Sequence, residues 1–547
     1  MGDIIKIGQI LSTINDVDSI NIDSNDEFNV DKKEDGSLDI TNKMLGDHIN
    51  NFNNPHNVTK DQIGLDKVSN MTADEILYMT KNYHINNAIG IDIGALLIGK
   101  AVYSMEMDLN ESDPTKVIKY IGLNQNYKPA HMDYNNNVFD YGDWGDAWFI
   151  KNLKVVLMRF DGTIECELNP NDYTKDINGN PVDISSSNTI GNVMVGIPTV
   201  WIKYDTTDPM KPRFTFSPIK VDDDYHAYAH TDKNGIVRHY KYIGTYISII
   251  DDSERLRSLS NVEYPMTGNY TDKVISQLRY YSNHNYNGSY SSKDNPWEMF
   301  AYCDWMLINL LLLLIGKSTN TQEVFGHGNE YGLFNNGSTK QDITNWPSNG
   351  YGVLNSGVMN TKGLFYGTKD LDHHEYRGVK VFGIENYWGN VWKMLLGYTL
   401  TTGKKSGVNQ NKIWVSPSAI TKYAPYLTTS NIVNQSLDYN IYSRMTNPSY
   451  TEYHTLYEYS KYSGGSGYQS ICTEYGLIPI DKTDDSTNDQ YFPDLFGHNY
   501  SESTTITTYI ATVGGENTMG QSDGAFNVAF MSTMSTNWAF NTFITAF

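Results

Sequence analysis

The side chains that could do chemistry in this chain are carboxylates, aromatics and three scattered cysteines. Acids come in adjacent runs, at Asp222-Asp223-Asp224, Asp251-Asp252 and Asp484-Asp485. An acid and a base facing each other across a cleft could cleave a glycosidic bond, and a single sequence leaves that arrangement open. Neighbouring acids in turn-rich stretches are the pattern of solvated loops. Asp176-x-Asn178-x-Asn180 imitates the start of a calcium loop. Pro181 stands where such a loop needs glycine and Ser187 where it needs a bidentate glutamate, so the stretch reads as a turn. Cys166, Cys303 and Cys472 are far apart and odd in number, which gives no disulfide framework. The chain contains no P-loop, no Gly-x-Ser-x-Gly, no His-Glu-x-x-His and no Cys-x-x-Cys. These residues form no catalytic constellation, and the expectation is a protein that is not an enzyme and uses no cofactor or metal.

Composition narrows the class. At 547 residues the chain has room for two to four domains. A net charge of −22 argues against nucleic acid, whose phosphates call for clustered Lys and Arg. The same charge suits a self-repelling surface that works outside a cell. Aromatics make up 13% of the chain, with 41 tyrosines beside abundant Asn, Gly and Ser. That palette belongs to adaptable recognition surfaces, although an AT-rich genome would favour Asn, Tyr and Ile as well. The unpaired cysteines fit folding in a reducing cytoplasm, and Met1–Ile5 lacks the basic start of a secretory signal. The apolar runs at 88–102 and 306–315 are too charged and too short, respectively, for a membrane span of roughly 20 residues. No membrane partner is expected.

The elements that would position these residues follow in chain order. Residues 1–46 are polar and acidic; Ile4 to Ile14 holds their only apolar pattern, and Asp23–Asp39 reads as a charged tether. In residues 47–70 the apolar side chains Ile49, Phe52, Val58, Ile63, Leu65 and Val68 are sparse and evenly placed. Such a segment gains a core only by pairing with copies of itself. Thr72 and Glu75 form a capping box for a helix striped by Ile76, Leu77, Met79 and Tyr83. From 103 to 215 the pattern turns to strands. Val155–Phe160 and Thr163–Leu168 flank Asp161-Gly162 as a hairpin, and Asn192–Tyr204 reads as a strand pair around Pro198. A helix is predicted to begin at Asn295-Pro296-Trp297-Glu298, with Asn295 as its cap and Glu298 at its positive end, and to end at Gly316; Trp305 and leucines 310–314 make it apolar nearly all round. Gly383-Ile384-Glu385-Asn386-Tyr387-Trp388-Gly389-Asn390-Val391-Trp392 packs two tryptophans and a tyrosine into six residues and reads as a core knot.

Two of these stretches carry family resemblances. His56-Asn57-Val58-Thr59-Lys60-Asp61-Gln62-Ile63-Gly64-Leu65-Asp66-Lys67-Val68-Ser69-Asn70 closely resembles an element that recurs in phage tail and head fibres. The resemblance implies an intertwined, usually trimeric segment, with Phe52, His56, Val58, Ile63, Leu65 and Val68 at the oligomer contact. His48 and His56 could meet a metal on a trimer axis, but stacking is the plainer role. The stretch 383–392 resembles the signature of C-type-lectin-like domains, which occur in formylglycine-generating-enzyme relatives and in adhesins at the tips of phage fibres. Those enzymes need an active-site cysteine pair, and neither Cys303 nor Cys472 has another cysteine near it in sequence.

The organisation implied is mainly β with a few helices (α+β). It comprises a virion-attachment segment at 1–46, an oligomerising fibre element at 47–102, a β-rich spacer at 103–215 and a C-type-lectin-like domain at 216–547. The last carries a long insertion at about 400–500, rich in Tyr, Ser, Thr and Asn. The implied function is a virion fibre protein, folded in the host cytoplasm, that is held to other virion proteins by its N-terminus. It would act at the host cell surface as a homotrimer and grip a receptor glycan or protein without covalent chemistry. Trimerisation raises effective concentration and makes weak single sites adequate. Sugars stack on aromatics and bond to amides, so Tyr453, Tyr457, Tyr459, Asn527, Asn537 and Trp538 are the receptor-binding candidates. The alternatives are a polysaccharide-degrading tailspike-type enzyme and a purely structural head fibre or decoration protein.

Overall fold

The computed structural model describes residues 19–22, 28–32, 38–42, 102–262, 275–288, 292, 294–329, 353–369, 378–416, 454–460, 463–480, 491–515, 523–533 and 541–547. The chain forms two compact units, Met1–Lys100 and Ala101–Phe547. The fibre element, the helix expected after it and the residues expected at the oligomer contact (Phe52, His56, Val58, Ile63, Leu65, Val68) lie outside the described residues.

In the first unit, β1 (Ser19–Ile22), β2 (Phe28–Lys32) and β3 (Leu38–Asn42) form an antiparallel meander. Ile20, Val30 and Ile40 are in register across it. Part of the stretch read as a charged tether is therefore strand, because alternation of Ile, Val and Phe with polar residues satisfies a sheet despite the surrounding charge.

The second unit is a mixed α+β fold with several sheets. Its N-terminal part contributes β4 (Tyr103–Met107), β5 (Ile118–Ile121), β6 (Lys154–Arg159), β7 (Ile164–Asn169), β8 (Asp172–Asp176) and β9 (Gly191–Pro198). There follow β10 (Trp201–Asp205), β11 (Arg213–Ser217), β12 (Tyr225–His226) and β13 (Tyr240–Gly244). The predicted hairpin forms as β6 and β7, with Gly162 at φ +87° in the turn and Thr163 N donating to Asp161 Oδ1 at 2.9 Å. The segments on either side of Pro198 are both strands but do not pair with each other. β9 pairs with β6 and β13, whereas β10 pairs with β11 and β12. Proline lacks a ladder donor and ends β9, so the chain crosses there from one sheet to the next.

The centre of this unit is α1 (Tyr302–Gly316), of which every residue is buried. Its apolar circumference leaves no face for solvent, and it ends at Gly316 as predicted. Its start differs from the prediction. Trp297–Met299 is a strand, β14, and the helix begins at Tyr302. Asp304, three residues into the helix, reaches back to accept from Ala301 N at 3.1 Å and so supplies the cap expected of Asn295. Glu298 meets no helix dipole. It accepts bidentate bonds from Arg279 at 2.8–3.1 Å, both side chains being buried.

Downstream lie β15 (Lys393–Thr402), β16 (Lys412–Val415), β17 (His454–Glu458), β18 (Ser463–Tyr468), β19 (Ser470–Thr473) and β20 (Gly476–Pro479). The chain closes with β21 (Phe492–His498), β22 (Thr507–Val513), β23 (Val528–Thr533) and β24 (Ile544–Ala546). One seven-stranded sheet has the order β8-β7-β6-β9-β13-β24-β14, so strands from both sides of residue 215 and from the C-terminal end share it. A second runs β17-β16-β15-β22-β23-β21-β18, and a five-stranded sheet runs β12-β10-β11-β4-β5. Residues between 400 and 500 thus supply strands to the second sheet, and the terminal strands complete both seven-stranded sheets.

The stretch 383–392 is the core knot its composition implies. Trp388 is fully buried and donates to Gly326 O at 3.0 Å; Tyr387 donates to Asn309 Oδ1 of α1 at 2.9 Å. Asn390 Oδ1 accepts from Leu354 N and Asn329 Nδ2, and the Glu385 carboxylate accepts from Gly357 N and Met359 N. Four side chains of one stretch therefore tie the helix to two loops. Gly389, at φ +69°, lies where a Cβ would come within 2.9 Å of the Asn329 backbone.

Candidate functional site

The site begins at the edge of the five-stranded sheet. β12 ends at His226, and a single 3₁₀ turn, Tyr228–His230, carries the chain inward against α1. The exposed His226 ring stacks on half-buried Tyr228, with centroids 5.0 Å apart and planes 5° from parallel. Tyr204, from β10, lies 6.1 Å from Tyr228 on one side. Tyr475 lies 5.9 Å from it on the other.

Tyr475 arrives from a distant part of the chain. It stands in the turn of the β19–β20 hairpin, whose Cys472 N donates to Pro209 O at 2.9 Å. Gly476 in the same turn has φ +127°, and a Cβ there would lie 2.7 Å from the Met306 side chain. A glycine at this point lets the hairpin rest directly on α1. Gln469 Nε2 donates to Leu109 O at 2.9 Å and fixes the hairpin's base.

These rings surround a cleft whose empty volume is about 310 Å³, open solvent included. His230, Tyr302, Cys303, Met306 and Leu307 line its inner part. The cleft as a whole has free room for no more than about one water. His230 is fully buried, and its Nε2 lies 3.2 Å from Ile197 O. A carbonyl only accepts, so Nε2 carries the proton and Nδ1 is left as a bare acceptor. Burial holds the imidazole neutral, pulling its pKa from 6.5 to about 3. Among the described residues, His230 Nδ1 and the Tyr302 hydroxyl are both buried with no hydrogen-bond partner. Behind them Lys241 Nζ lies 3.4 Å from Asp304 Oδ1, both side chains fully buried. The charge beneath the cleft is thereby internally compensated.

Cys303 and Cys472, distant in sequence, both lie close enough to Tyr204 and Tyr302 to act on their hydroxyls electrostatically. Burial pushes both thiols well above the ordinary cysteine range. A thiol held in its neutral form is a poor nucleophile.

Among the sequence-predicted binding residues, Tyr457 is half-buried and packs edge-on against Tyr459 at 4.9 Å. Tyr459 is fully buried; its hydroxyl donates to Pro479 O at 2.9 Å and its ring stacks on His498 at 4.1 Å. Asn527 is also fully buried, with Nδ2 turned to Asp523 Oδ1 at 3.4 Å. Both are built into the interior: Tyr459 N donates to Asn411 O just past the end of β17, and Asn527 N donates to Gly524 O in a tight turn. Tyr453, Asn537 and Trp538 lie outside the described residues. The cleft tyrosines 204, 228 and 475 carry no signal in the sequence, because they come from separated segments with no shared motif.

The other candidates sort simply. Asp176 Oδ1 accepts from Asn178 N and Asn180 N, which is a turn, as the sequence indicates. Asp222 and Asp224 flank Lys203, and Asp223 meets Lys220, all near solvent. Asp251 accepts from Arg257 at 2.8 Å, and Asp484-Asp485 lies outside the described residues. Among the described residues no group of three or more His, Cys, Asp or Glu side chains is placed to share a metal ion. No described helix is long and apolar enough to cross a membrane.

No model of a known protein family matches the chain, and comparison with curated proteins yields no match either.

Proposed function

We propose that this chain is a bacteriophage virion fibre protein that binds a host cell-surface receptor non-covalently through a C-terminal, C-type-lectin-like domain. The aromatic cleft is the observation that carries the binding role. Three tyrosines and a histidine converge from three segments at a partly exposed site, where a monomer gains little from leaving aromatic faces near water. Rigid aromatic faces with polar tips are the side chains that recognition surfaces use. The resemblance of residues 56–70 to fibre elements supports a trimeric fibre, and that of 383–392 supports the lectin-like architecture. In a trimer three such clefts would act together, so a weak single site suffices for capture.

Adsorption of the fluorescently labelled full chain to candidate host cells tests this reading, repeated after the surface polysaccharide has been stripped. Binding to intact cells that is lost on stripping is the expected result. A confirmed trimer that adsorbs to no host cell would overturn the receptor role and leave a structural fibre as the account. Loss of polymer viscosity on incubation would instead establish a polysaccharide-degrading enzyme.

A further inference from the structure

We infer that the cleft takes an uncharged pyranose sugar, seating one ring hydroxyl against His230 Nδ1 and the Tyr302 hydroxyl while the ring rests among Tyr204, Tyr228 and Tyr475. This rests on the proposed receptor-binding role and specifies the ligand's chemistry.

The inner groups set the requirement. A buried polar atom without a partner destabilises a fold, so two on residues that line one cleft call for ligand groups that satisfy them. His230 Nδ1 can only accept, because its ring proton is committed to Ile197 O. The ligand must therefore bring a donor. The Tyr302 hydroxyl can donate or accept. A sugar hydroxyl donates and accepts from one oxygen, whereas a carboxylate or a backbone carbonyl brings no proton for Nδ1.

Size and charge agree with this. The whole cleft admits about one water-sized atom, which fits a hydroxyl oxygen and excludes a whole ring. The ring then stays at the mouth, where the tyrosine faces meet its C–H surface. Lys241 and Asp304 compensate each other beneath, exposed Glu474 stands beside Tyr475, and the chain carries −22 overall. An anionic sugar would meet repulsion, and among the described residues no Lys or Arg lines the cleft to offset it.

The test uses the full chain and a panel of methyl pyranosides with gluco, galacto, manno and N-acetylglucosamine stereochemistry, with methyl glucuronide as the anionic member. Binding is read by saturation-transfer NMR and titration. At least one neutral pyranoside should bind in the millimolar range, and the glucuronide should not. Tyr302→Phe should weaken that binding about tenfold while leaving the melting temperature unchanged or raised, since the lost hydroxyl has no partner in the free protein. Tyr228→Ala should abolish binding with the circular dichroism spectrum unchanged. Absence of binding by every neutral pyranoside, equal binding of the glucuronide, or an affinity indifferent to Tyr302→Phe would each overturn the inference. Cell adsorption measured alongside separates the two readings. Adsorption without pyranoside binding sinks the sugar assignment and leaves the fibre reading standing. Pyranoside binding that Tyr302→Phe weakens, without adsorption to any host, supports the cleft and sinks the receptor role.

Discussion

The ring of Tyr475 stands 5.9 Å from that of Tyr228, and this contact joins the β19–β20 hairpin to the sheet edge at the mouth of the cleft. One residue comes from the turn of the β19–β20 hairpin and the other from the 3₁₀ turn after β12. Neither segment forms the cleft's mouth alone.

Removing either ring should therefore impair capture more than folding. For Tyr475→Ala we expect at least a fivefold loss of single-site affinity, in line with hot-spot aromatics that contribute about 1 kcal/mol or more. Cell adsorption at limiting protein concentration measures it. An unchanged adsorption curve for Tyr475→Ala would remove the hairpin from the site.

Gly476 is required by geometry on two counts, a φ of +127° and a Cβ position 2.7 Å from Met306. Gly476→Ala should destabilise the hairpin's seat by about 1–3 kcal/mol. Met306→Ala in the same chain should relieve the steric part and leave the backbone part. Limited proteolysis near residue 475 and thermal melting would show whether the two changes couple.

Arg279 and Glu298 form the bidentate pair that holds β14 against the helix Ile275–Asn283. Arg279→Ala strands a buried carboxylate and should cost about 3–5 kcal/mol, whereas replacing both partners by Met and Leu should cost far less. Urea unfolding of the single and double variants decides it. Equal losses in both would mean that the pair's packing matters more than its charge.

His230 makes stability depend on acidity in a defined window. Its pKa lies near 6.5 in the unfolded chain and at about 3 in the folded one. Below pH 6.5 the unfolded chain takes up a proton that the folded chain refuses, so acidification favours unfolding until about pH 3. Between pH 7 and pH 5 this amounts to about 2 kcal/mol. His230→Gln keeps a donor for Ile197 O but cannot titrate, so the difference between the two chains' urea midpoints should shrink across that range. A constant difference would contradict a neutral, buried His230.

Much of the scaffold was legible because its signals are local. Asp161-Gly162 between two β-branched runs dictates a hairpin, and an apolar circumference from Trp305 to Ile315 dictates burial. The spacing of Trp388, Gly389 and Asn390 marks a tight, aromatic crossing of chain segments, and the sequence by itself determined that this knot is core. It also set the acidic character that disfavours anionic partners. The start of α1 was not legible, since Asn295-Pro296 offers a cap that pairing of β14 with β24 overrides. A strand completed by the last residues of the chain leaves no trace near residue 297.

Tertiary structure alone decided the site. Tyrosines are common in this chain, and nothing local separates Tyr475, at the cleft, from Tyr459, fully buried beneath β20. Which of them meets solvent depends on how the hairpin folds back over α1, a choice made by long-range packing at Met306 and Pro209. The empty valences of His230 and Tyr302 are likewise invisible in sequence, because a missing partner is a property of the whole fold and not of the residue that lacks it.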